Sequence, residues 1–69
     1  MVYQGKEVHR GNIVTVHVPS EQIGVQGFVS KVSKTMCDVE TVVGNKTVTY
    51  RCTLSGDGST LIGIPVETE

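Results

Sequence analysis

Residues 35–53 read TMCDVETVVGNKTVTYRCT, and two alternating runs separated by Gly44-Asn45 make this the stretch that decides the fold. In the first run Cys37, Val39 and Thr41 share one face while Asp38, Glu40 and Val42 share the other. In the second, Val48, Tyr50 and Cys52 are set against Thr47, Thr49 and Arg51. Period-two alternation marks a half-buried strand, because successive side chains point to opposite sides of the pleat. A Gly-Asn link supplies the positive φ that primed hairpin turns require. With the turn centred there, Val43 pairs with Lys46 and partner numbers sum to 89, so Val39 meets Tyr50, Asp38 meets Arg51 and Cys37 meets Cys52.

Working outward, residues 25–34 (VQGFVSKVSK) form a second strand upstream of this hairpin. Strict alternation would put Val29 and Val32 on opposite faces, so both reach the core only if a bulge intervenes near Ser30 and Lys31. Bulges of this kind bend a small sheet toward closure. Further upstream, residues 12–18 alternate with Val14, Val16 and Val18 on one face and Ile13, Thr15 and His17 on the other, until Pro19 removes a ladder donor. Residues 19–24 (PSEQIG) have turn composition and are expected to form a short structured loop holding one helical turn. Downstream, residues 55–59 (SGDGS) are a connection, and residues 60–66 give a last strand that Pro65 confines to an edge or a strand end, with Gly63 placed to kink it. Residues 1–11 are weakly patterned, with Val2, Tyr3 and Val8 as anchors. The whole of residues 1–69 reads as one domain.

Composition agrees. Valine, isoleucine and threonine make up 25 of the 69 residues, alanine is absent and leucine occurs only at Leu54 and Leu61, a balance that suits a pleated surface and penalises a helix. Six basic and seven acidic residues leave a net charge of −1, which excludes a domain drawn bodily onto polyphosphate by excess positive charge. No apolar run approaches the roughly 20 residues that a membrane-spanning helix needs, and no charged-then-apolar leader opens the sequence. A soluble, cytoplasmic protein with no membrane partner is the expectation. Two cysteines are too few for a disulfide scaffold or a structural zinc site, and their expected state is reduced and buried.

Five short strands in about 55 residues, with a loop after the first, a bent second strand and a tight hairpin between third and fourth, resemble the small barrels of the SH3-like group, KOW and Tudor domains included. The residues carrying the resemblance are GNIVTVHVPSEQIGVQGFVSKV (11–32), with its glycine-started valine strand and the Gly27-x-Val29-x-x-Val32 spacing. A weaker similarity, over residues 27–40, is to the Sm-like fold, whose leading helix is missing here. The resemblance implies an all-β fold, a small, five-stranded, strongly bent antiparallel SH3-like barrel. It transfers no ligand residue.

Each residue able to carry chemistry has a plainer structural role beside it. Cys37 and Cys52 could form a disulfide or offer two thiolates to a metal, but opposed cysteines in a reducing cell are usually small buried hydrophobes. His9 and His17 complete a Cys2His2 set only on paper, because His17 faces away from the valine face of its strand and zinc spacing is absent, so no metal site is expected. Asp38 and Glu40 share a face, as acid–base pairs do, yet Thr49 and Arg51 opposite make them a solvated charge ladder. A barrel this small fills its own interior, so no catalytic residues and no cofactor are expected. Asp57 in Gly56-Asp57-Gly58 is a lone carboxylate, and Asn45-Lys46-Thr47 matches a glycosylation acceptor in form only.

The functional expectation is a non-enzymatic module that binds another protein through a strand edge or an outer sheet face. One candidate surface is the polar face of Thr15, His17, Asp38, Glu40, Thr49 and Arg51, and the loops at residues 19–24 and 55–59 are the other. A second reading is a KOW-like nucleic-acid-binding barrel using Lys31, Lys34, Lys46 and Arg51, with Arg10, around Phe28. The two differ in where the positive charges fall: one contiguous patch favours nucleic acid, and dispersal among Asp38, Glu40 and Glu21 opposes it. Homo-oligomerisation through edge strands is the third.

Overall fold

The structure is a computed structural model that describes residues 1–56 and 58–66; Asp57, the carboxylate of the glycine loop, lies outside the described residues. A two-stranded hairpin, β1 (Val2–Tyr3) and β2 (Lys6–Glu7), precedes five strands: β3 (Ile13–Val18), β4 (Ile23–Val32), β5 (Met36–Val43), β6 (Lys46–Leu54) and β7 (Leu61–Val66). The last five close into a barrel in chain order. None of the described residues is helical.

The hairpin at residues 35–53 has the register expected. Eight pairs run from Met36 with Thr53 to Val43 with Lys46, and Cys37–Cys52, Asp38–Arg51 and Val39–Tyr50 are among them. The turn takes positive φ at Gly44 alone (62°), the pattern of a type II′ turn. The bulge also falls where two inward valines require it, with the β4–β5 register shifting between Val29 and Lys31. At Gly27 the strand lies so close on β5 that a Cβ would strike the Glu40 carbonyl oxygen and come within 2.9 Å of Val39 Cγ1. That contact lets one strand pair with β3 over Ile23–Phe28 and with β5 over Phe28–Val32.

Three expectations are corrected. The barrel is mixed rather than antiparallel, because β7 closes on β3 in parallel through Val16 with Leu61 and His17 with Ile62. Topology requires it: in a five-strand meander the first and last strands run the same way. The loop at residues 19–24 shrinks to a turn at 19–22, where the amides of Glu21 and Gln22 donate to the carbonyls of Val18 and Pro19. Gln22 at φ 54° reverses the chain, and Ile23 and Gly24 already pair with Val18 and His17. Finally, Val2 is exposed, whereas Val8 joins the core and Met1 and Tyr3 pack against it. Positive φ at Gln4 and Gly5 folds residues 1–8 into a hairpin that period-two alternation could not announce, since each of its strands is only two residues long.

The barrel interior holds Val14, Val16 and Val18 of β3, Val29 of β4, Cys37 and Val39 of β5, Tyr50 and Cys52 of β6 and Leu61 of β7. Gly63 is a second close approach: a Cβ there would meet Val16 Cγ1 at 2.5 Å and Tyr50 Cβ at 3.2 Å. The residue serves close approach across the barrel, not a kink. Pro65 stands opposite Tyr50 in the β6–β7 ladder. Counting from the hydrogen-bonded pair that closes the Gly44 turn, the backbone groups of Tyr50 point to β5, so Pro65 forfeits no bond to β6. Its missing N–H falls instead on the open side of β7, beyond the short pairing with β3, and blunts that edge.

Two consequences can be measured. Gly63→Ala should lower unfolding free energy by ~1–3 kcal/mol in urea titration. Gly56→Ala, whose Cβ would meet nothing within 4 Å, should stay within ~0.5 kcal/mol of the parent. Burial, and after it the charge of Glu21, pushes the Tyr50 hydroxyl above its ordinary value of 10.0. The neutral hydroxyl's stabilisation is then fully present below the unfolded value and is lost as pH rises through the folded one. In a Tyr3→Phe background, absorbance titration of Tyr50 should show a midpoint above 10.0. The alkaline fall in urea midpoint should be smaller in Tyr50→Phe.

Candidate interaction face

Because β-strand side chains alternate, each inward residue of the core leaves its neighbours on the outside, and the registers sort these into rows across the barrel. One row runs Ile13, Phe28, Glu40, Thr49, Val66. The next runs Lys31, Asp38, Arg51, Ile64. The bulge brings these rows together: Phe28 and Lys31 both face outward although only Val29 and Ser30 separate them, and Ser30 Oγ donates to the Asp38 carbonyl at 3.3 Å.

Phe28 is 40% exposed and its cross-strand neighbour Ile13 64% exposed. Beside them Arg10, Lys31 and Glu40 rim an open depression of about 540 Å³ floored by Phe28 and Val29. Asp38 lies between two cations, opposite Lys31 on one side and paired with Arg51 on the other, where Arg51 Nε stands 3.8 Å from Asp38 Oδ1. Acid and base therefore alternate around an apolar centre.

Of the residues expected to form the site, Phe28, Lys31, Asp38, Glu40 and Arg51 share this face. His17 does not, since β3 places it opposite Gly24 and beside Ile62 at the β3–β7 seam, while Thr15, opposite Gln26, stands one outward position along β3 from Ile13. Lys34 lies in the turn between β4 and β5, and Lys46 starts β6 at the opposite end of the β5–β6 ladder. Seven residue steps of strand separate those ends, roughly 23 Å, so the lysines form no single patch. Ile13 and Arg10 complete the face. Ile13 was legible as an outward residue of its strand, but its pairing with Phe28 depends on the β3–β4 turn length, which composition does not give.

Tyr50 is buried and Tyr3 is packed against the core, leaving Phe28 as the one exposed aromatic among the described residues. The two cysteines point inward and His17 outward, and no group of three metal-ligating side chains exists among the described residues.

A double-mutant cycle on Asp38 and Arg51 should give a coupling below ~1 kcal/mol that shrinks with added salt, because both side chains reach solvent. Coupling of several kcal/mol would mean that the pair anchors the barrel. No protein-family model, curated protein or solved structure matches the chain.

Proposed function

We propose that the chain is a non-enzymatic interaction module, of the SH3-like barrel group, that binds another protein through the outer face centred on Phe28 and Ile13. The observation that supports this is the adjacent, exposed Phe28–Ile13 pair inside a rim of mixed charge formed by Glu40, Lys31, Asp38 and Arg51. Protein interfaces have this anatomy, an apolar or aromatic centre that loses water on binding and a polar rim that sets register and rejects wrong partners. The face is preferred to the edge of β7, where Pro65 leaves no donor for strand addition.

The nucleic-acid reading draws less support. Positive side chains are interleaved with Asp38 and Glu40 rather than pooled, and a single exposed aromatic offers no platform for successive bases. A cytoplasmic location accords with two unpaired core thiols, the state that a reducing compartment maintains.

The test is affinity capture from native lysate by immobilised wild type, Phe28→Ser and Thr47→Ser, with and without nuclease and in high salt. A stoichiometric protein retained through both treatments, lost with Phe28→Ser and kept with Thr47→Ser, is the expected result. Affinity of the isolated pair should fall at least ~30-fold in Phe28→Ser, as for a central aromatic anchor. Recovery that collapses with nuclease and salt would transfer the function to nucleic acid. Capture only of further copies of this chain would make the face a self-association surface.

A further inference from the structure

Cys37 and Cys52 are direct partners in the β5–β6 ladder, and both side chains point into the barrel. By the count from the Gly44 turn this is a hydrogen-bonded pair, whose Cα atoms lie about 5.5 Å apart, inside the 4.4–6.8 Å range that a disulfide spans. Neither is bonded to another cysteine. Opposition alone would describe two core residues; access adds something. Where the bulge shifts the β4–β5 register, an open depression of about 270 Å³ forms, and Cys37 belongs to its wall together with Lys31, Met36, Asp38 and Arg51. Both side chains are buried, Cys37 at 2% exposure and Cys52 at 0%, and Cys52 does not reach the depression. Cys37 thus stands one layer nearer the surface than Cys52, the order that an attacking and a resolving thiol take.

We propose that Cys37 and Cys52 are a modification site for small hydroperoxides, at which two-electron oxidation joins them in an intramolecular disulfide across β5 and β6. The Cys37 thiolate attacks one peroxide oxygen, the O–O bond breaks, and Cys37 becomes a sulfenic acid while the second oxygen leaves as hydroxide and takes up the Cys37 proton as water. The Cys52 sulfur then gives up its proton and attacks the Cys37 sulfur, the S–O bond breaks and a second water leaves. Two thiols and one hydrogen peroxide yield one disulfide and two waters. The neighbouring Cys52 thiol holds Cys37 below its ordinary value, against the opposing effects of burial and Asp38, while Cys52 itself is pushed up. That division matches the roles assigned by position. The product cross-links β5 to β6 on the inner side of the hairpin, opposite the outer face that carries Phe28.

The experiment treats the full chain with hydrogen peroxide near neutral pH, quenches with catalase, alkylates in denaturant and weighs the product. The expected outcome is a monomer about 2 Da lighter with both thiols lost, and a non-reduced digest joining the Cys37 and Cys52 peptides. Its melting temperature should rise by roughly 10 °C, and dithiothreitol should reverse every change. Cys52→Ala should instead accumulate a dimedone-reactive sulfenic acid at Cys37. If the native chain keeps both thiols under conditions that oxidise the urea-unfolded chain, or yields only sulfinic acid or disulfides between chains, the proposal is overturned on wild-type protein whatever the variant does.

Discussion

Five strands enclose very little space, and that limit governs the rest of the molecule. A barrel of this size can be filled only by short side chains, so its interior is valine, cysteine and one leucine, and its single large residue, Tyr50, sits beside a glycine. The constraint shows at Gly63, where a Cβ would run into Val16 of β3 and Tyr50 of β6, so β7 can lie against β3 only if nothing projects there. Closure in turn removes most of the free strand edge that a small open sheet would leave to other chains.

Among the described residues the inward positions are filled by their own side chains. The face proposed for recognition is therefore built from side chains that alternate with the core. The bulge that lets Val29 reach the interior turns Lys31 outward two positions after it and opens the ladder beside Cys37. One local irregularity therefore serves packing, shapes the mixed-charge rim around Phe28 and brings Cys37 to the wall of a depression.

The N-terminal hairpin shows how marginal segments are recruited. Its two-residue strands would not hold together in water alone. They are held by Met1, Tyr3 and Val8 packing onto the core and by the Val8 amide donating to the Met1 carbonyl at 2.8 Å.

Local patterning by itself determined a good deal. The alternation of residues 35–53 around Gly44-Asn45 set the β5–β6 register pair by pair, the spacing of Val29 and Val32 required the bulge, and the valines of β3 declared the core face. Each of these follows from period-two geometry within a few residues of a turn, which is why it can be read from the chain. Tertiary structure decided what depends on distant segments. Parallel closure of β7 on β3 follows from strand count, the role of Gly63 from a valine 47 positions earlier, and the assembly of Ile13, Phe28, Glu40 and Arg51 into one face from three registers acting together. Lys34 and Lys46 were separated for the same reason: nearness across a barrel is set by which strand ends meet, and no local pattern encodes that.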